Sequence, residues 1–184
     1  MMKAAATHTA LVLVALAAPA SAAAGVQFGP SDIPTVFFIS KSDDHNRVDY
    51  GMRLTVACAP VNNDAVFPYW REFENSPPVR TKPLGAFAHL GYGISEQRLV
   101  RGGHPDAAYL LRLKQFRQRP VWITTSLNDA GHCQARARVA IGAVPFAELS
   151  SIFVKLAGPL SVEYIIVKGR DPATGKPIEE KIAR

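Results

Sequence analysis

The chain has 184 residues, 48% of them hydrophobic, with 21 Lys and Arg against 15 Asp and Glu, for a net charge of +6 at pH 7. That length sets one domain able to bury a sizeable core. It also excludes a membrane-spanning helix, because no segment stays apolar for the roughly 20 residues that a span needs.

The N-terminus has the layout of a secretory signal peptide. Met1, Met2 and Lys3 give a short start with one positive charge, and the run from Ala10 to Ala18 is apolar. Ala20, Ser21 and Ala22 then supply the small residues of a cleavage site. Residues 1–22 read as the signal peptide, cut near Ala22, and residues 23–184 as a single β-rich domain of about 160 residues. The expected location is periplasmic or secreted, with no membrane anchor in the mature chain.

Thr35 to Ser40 (TVFFIS) is β-branched and aromatic and reads as the first strand. A polar turn follows at residues 41–46. Val48 to Cys58 alternates, with Val48, Tyr50, Met52, Leu54 and Val56 on a buried face and Asp49, Arg53 and Thr55 on a wet one. Phe67 to Phe73 reads as a third strand. Gly85 to Leu99 reads as extended, with Gly91 and Gly93 allowing close approach beside Tyr92.

Tyr109 to Lys114 and Pro120 to Ser126 follow as strands, and Cys133 to Ile141 has the cleanest period of two in the chain. Pro145 then suits a first helical position, Leu149, Ile152, Phe153 and Leu156 recur at helical spacing, and Gly158–Pro159 stops the run. Ser161 to Gly169 and Pro177 to Ile182 read as a closing strand pair with a charged edge. The fold class is mainly β: an antiparallel sandwich or barrel of about eight strands, with one helix near the C-terminal third.

Cys58 and Cys133 are the two cysteines. In an oxidising compartment an even pair reads first as a disulfide, and both positions continue the apolar faces of their strands. The other reading is a reactive Cys133 thiol beside His132.

The stretch FFISKSDDHNRVDYGMRL, then Cys58 and FPYWREFE, then Leu90–Gly91–Tyr92–Gly93–Ile94, resembles the bacterial secreted family catalogued as domain of unknown function 4833. The likeness reaches the C-terminal hairpin. The family's Asn-Gln-Val motif here reads Asn46–Arg47–Val48. The resemblance implies an exported bacterial domain and brings no activity or catalytic residue with it.

Candidate site residues fall into three groups. Asp43, Asp44 and His45, with His132, are the weak catalytic candidates for a hydrolase-type reaction; adjacent residues of an extended turn diverge, and turn hydrogen bonding accounts for them equally. Tyr50, Tyr69, Trp70, Arg71 and Tyr92 combine aromatic bodies with polar tips, as ligand pockets do. Arg112, Lys114, Arg136 and Arg138 form outward basic faces suited to anions, within a segment that holds eight Lys or Arg against two acids between Arg98 and Arg138. No His or Cys spacing fits a metal, and no phosphate-cradling loop or nucleophile elbow is present, so no cofactor is expected. Nucleic acid is not an expected partner, since its single-strand binders interleave aromatics with cations.

The expected function is a non-catalytic binding domain for a small amphipathic ligand or an anionic envelope polymer. The alternatives are a hydrolase using the first loop, and a structural or interaction protein of the envelope.

Overall fold

The computed structural model describes residues 35–73, 79–100, 108–158 and 161–183. Residues 1–22, expected to be a signal peptide, and the turn expected at residues 101–106 lie outside the described residues. Eleven strands run β1 (Thr35–Lys41), β2 (Arg47–Met52), β3 (Val66–Glu72), β4 (Arg80–Pro83), β5 (Ile94–Leu99), β6 (Tyr109–Leu113), β7 (Val121–Leu127), β8 (Cys133–Ile141), β9 (Val144–Gly158), β10 (Ser161–Arg170) and β11 (Pro177–Ala183). One short helix, α1 (Ala88–Tyr92), precedes β5.

The sheet order is β4-β3-β2-β1-β9-β8-β7-β6-β5, with β10 and β11 on the other edge of β9. β9 is 15 residues long, and it carries β8 along its first residues and β1 along its later ones. Because β8 and β1 share one edge of β9, they diverge and the sheet splits into two layers. The layers are joined along β9 and are not closed into a barrel. β1 runs parallel to β9; every other strand pair is antiparallel.

The inner faces meet in one core. Phe37, Val48, Tyr50 and Met52 from the first layer pack in the same cluster as Tyr109, Leu111, Ile123, Ala137 and Val139 from the second. Phe37 stacks on Tyr50 with ring centroids 4.4 Å apart. The period of two read in β1, β6, β7 and β8 is the alternation that places these residues inward.

The helix expected from Pro145 to Leu156 is instead strand β9, and the one helix among the described residues, at residues 88–92, interrupts the stretch from Gly85 to Leu99 expected to be extended. The reason for the first difference is a β-bulge. Leu149 pairs with Gly169 and Ser151 with Lys168, which leaves exposed Ser150 as the extra residue. The bulge switches the buried parity from Ala147 and Leu149 to Ile152 and Val154. A three-residue step between Leu149 and Ile152 mimics helical spacing, although the backbone is extended on both sides.

The same bulge marks where β9 passes from β8 to β1. Gly169 is required beside it: a Cβ there would lie 2.3 Å from Glu148 O and 2.7 Å from Ile141 Cδ1.

The second strand is also shorter than expected. β2 ends at Met52, and residues 53–65 form a loop in which Val56 is exposed and Cys58 has a positive φ of 58°.

Candidate functional site

The two layers part at one end, and a cleft of about 430 Å³ opens there. Its walls are the ends of β1 and β9, α1, and the turn after β6. Trp70 and Tyr92 meet edge to face inside it, with centroids 5.7 Å apart. Phe87 and Leu90 stand at its mouth, 71% and 60% exposed. Lys41 is the cation in the lining, and Asp44 holds its Nζ at 3.1 Å.

Local sequence explains how Tyr92 is placed. α1 ends at Gly93, where a Cβ would lie 2.3 Å from His89 O, so only glycine lets the chain turn sharply into β5. The Tyr50 hydroxyl donates to Tyr92 O at 2.5 Å and fixes that turn from below. Burial raises the Tyr50 and Tyr92 phenols above their ordinary range, with Lys41 opposing the rise at Tyr92. Both are hydroxyl donors at neutral pH.

The five aromatic-group candidates thus divide. Trp70 and Tyr92 line the cleft. Tyr50 is fully buried behind it and supports Tyr92. Tyr69 and Arg71 point to the opposite face of β3, beside Asp49 on β2. Asp49 is 0% exposed although it sits on the outer side of the layer. Thr35 Oγ1 donates to it at 2.9 Å, Arg47 Nε at 2.6 Å, and Arg71 Nε forms an ion pair with it at 2.7 Å.

The basic candidates divide as well. β6 and β8 are not neighbours, since β7 lies between them. Arg112, Arg136 and Arg138 share the outer face of the second layer, with Trp122 of β7 opposite Arg138. Arg112 is held by Glu96 at 3.0 Å and Arg136 approaches Glu148 at 3.7 Å, which neutralises much of that face. Lys114 lies past the end of β6, in a hollow of about 330 Å³ next to the cleft.

The hydrolase candidates do not converge. Asp44 Oδ1 accepts from Asn46 N at 2.8 Å, an Asx-type turn, and Asp43 and His45 are exposed in the same turn. His132 is exposed in the β7–β8 turn, where its N–H donates to Asn128 Oδ1 at 2.8 Å. That turn lies at the disulfide end of the molecule, away from the first loop. Among the described residues no group of three His, Cys, Asp or Glu is placed to hold a metal.

Cys58 and Cys133 are joined, with Cα atoms 5.2 Å apart across 75 residues of sequence. Cys58 reaches its partner from a turn, with its N–H donating to Thr55 O at 2.9 Å, rather than from a strand. Reasoning from sequence missed the Asp49 cluster and the place of Trp122 between the basic strands. For the first, the available signal was Arg47 and Asp49 two residues apart on one strand face.

A family model described as domain of unknown function (DUF4833) matches residues 37–181. The chain belongs to this family. No curated protein and no solved structure matches it. The match runs from β1 into β11, so the cleft and, apart from Thr35, the Asp49 cluster fall inside the family domain.

Proposed function

We propose that this chain is an exported, non-catalytic binding domain, processed near Ala22, whose cleft takes an amphipathic small molecule. The observation that carries the reading is the cleft itself. Its volume falls within the range of about 300–1,000 Å³ typical of small-molecule sites. Its mouth is formed by exposed Phe87 and Leu90, and Trp70 and Tyr92 line it. Lys41 is the cation in that lining and is held by Asp44 at 3.1 Å, so the ligand that suits the cleft has an apolar body and an acidic head able to compete with Asp44 for that ammonium. The Cys58–Cys133 disulfide supports export, because such bonds persist in oxidising compartments.

Dodecanoate is a suitable probe. In a Trp122→Phe background, Trp70 fluorescence should change saturably as dodecanoate is added. Dodecanol should bind more weakly, and Lys41→Gln should erase the difference between acid and alcohol. A flat Trp70 signal together with no retained ligand in native mass spectrometry would remove the proposal. Intact-mass measurement of the protein from its own host tests the cleavage separately.

A further inference from the structure

We propose that Arg47 and Arg71 form a second, separate binding site on the outer face of β1–β3 that takes a tetrahedral oxyanion, a phosphate or sulfate group. The two arginines are direct cross-strand partners. Like charges set opposite each other on a sheet repel unless an anion lies between them. Asp49 is that anion, but one carboxylate neutralises only one of two guanidiniums. Two other acids, from the β1–β2 turn and from β3, are engaged elsewhere: Asp44 with Lys41 and Glu72 with Lys82.

The network holds the guanidiniums still and leaves specific donors open. Arg47 directs Nε and Nη2 at Asp49, at 2.6 and 3.3 Å, while its plane lies on the Phe38 ring 4.1 Å away. Arg71 sets Nε against Asp49 and donates from Nη2 to the Tyr69 hydroxyl at 3.2 Å and to Thr35 Oγ1 at 3.3 Å. Nη1 of each has no partner among the described residues. Both side chains keep part of their surface in solvent, 26% for Arg47 and 23% for Arg71, and Arg71 Nε, although 2.7 Å from Asp49, makes no hydrogen bond.

The shape of the open donors selects the ligand. On each arginine the Nε–Nη2 edge, which would grip a planar carboxylate with two parallel bonds, is already occupied. What remains is Nη1 of each arginine, on two different strands, together with the second N–H of Arg47 Nη2. An anion whose oxygens point in several directions can accept from both arginines. Asp49 is the positioning residue, because it holds Arg47 through Nε and Nη2 and forms an ion pair with Arg71 at 2.7 Å while its own oxygens stay covered.

The test follows the arginine side-chain resonances of the whole mature chain by NMR. Sodium phosphate, sulfate, acetate and chloride are compared at constant ionic strength. Arg47 and Arg71 should shift saturably with phosphate and sulfate, and far less with acetate. Arg71→Gln should weaken phosphate binding about tenfold or more, as expected for losing one charge-assisted donor group. Arg47→Lys, which keeps the charge and loses the planar fork, should also weaken it and decides the matter should Arg71→Gln not fold. Dodecanoate uptake should be unchanged in both variants, which separates this site from the cleft. An equal response to chloride and phosphate, or a phosphate response that survives both substitutions, would overturn the proposal.

Discussion

The two ends of this sandwich are built in opposite ways. At one end the loop of residues 53–65 folds over the core and is fastened by the Cys58–Cys133 bond, by the Tyr109 hydroxyl, which accepts from Ala65 N at 3.1 Å and donates to Asn63 O, and by the Asn63 side chain, whose Oδ1 accepts from Leu99 N at 3.0 Å. At the other end the layers part, and α1 leaves Phe87 and Leu90 in solvent. Polar and covalent ties close the first end, while the second leaves apolar groups uncovered. The difference shows how a single core can hold one end rigid and keep surface free at the other.

The comparison is broken most severely at the closed end. Replacing both cysteines by serine should lower unfolding stability by about 4 kcal/mol, from the chain entropy of a loop this long. Urea denaturation of the oxidised protein and the double variant measures it. Tyr109→Phe should follow with a loss of about 2 kcal/mol, because the Ala65 N–H and the Asn63 carbonyl lose a buried partner. Thermal unfolding reads that change.

The third prediction concerns a tie at the open end. Arg119, in the turn after β6 that walls the cleft, donates to Glu180 of β11 at 2.5 and 2.7 Å. With Gly142 N also donating to it, the Glu180 carboxyl falls from its ordinary 4.5 to about 2. A depressed carboxyl stabilises the fold above the unfolded value and loses that contribution as pH falls toward the folded one. Stability should therefore drop between about pH 4.5 and 2. The share from this pair is about 1 kcal/mol once solvent screening of a partly exposed ion pair is included. Glu180→Gln should flatten that part of the pH profile.

The smallest expected effect sharpens the contrast. Phe87→Ser should change stability by less than about 0.5 kcal/mol, as surface substitutions do, and yet weaken dodecanoate uptake. A large loss of stability there would mean that Phe87 is a core residue and that the open end is not built for a ligand.

Much of this fold was legible in alternation. Cys133 to Ile141 matches β8 to the residue, and Thr35 to Ser40 matches β1 to within one. β9 was not legible, because a bulge at Ser150 changes which parity is buried and no local residue announces it. The cysteine pairing was read correctly, although Cys58 arrives from a turn and not along a continued strand. Within the cleft, Trp70 and Tyr92 stood out as aromatics with polar tips. Phe87 and Leu90 did not, since an apolar residue looks the same in sequence whether the fold covers it or leaves it bare. The Asp49 cluster was hidden for a different reason. Its second arginine comes from another strand, so only the register of β2 with β3 brings it to the carboxylate.

The parallel pairing of β1 with β9 has a consequence for how the molecule is made. Thr35–Lys41 leaves the ribosome long before its partner residues, Ser151 to Val154. A nascent chain that has not reached β9 can form the β1–β2 hairpin but offers nothing to the other edge of β1. Contacts of such long sequence separation slow folding, so the first strand stays an open edge until β9 is made. The joining of the two layers along β9 therefore waits for that strand.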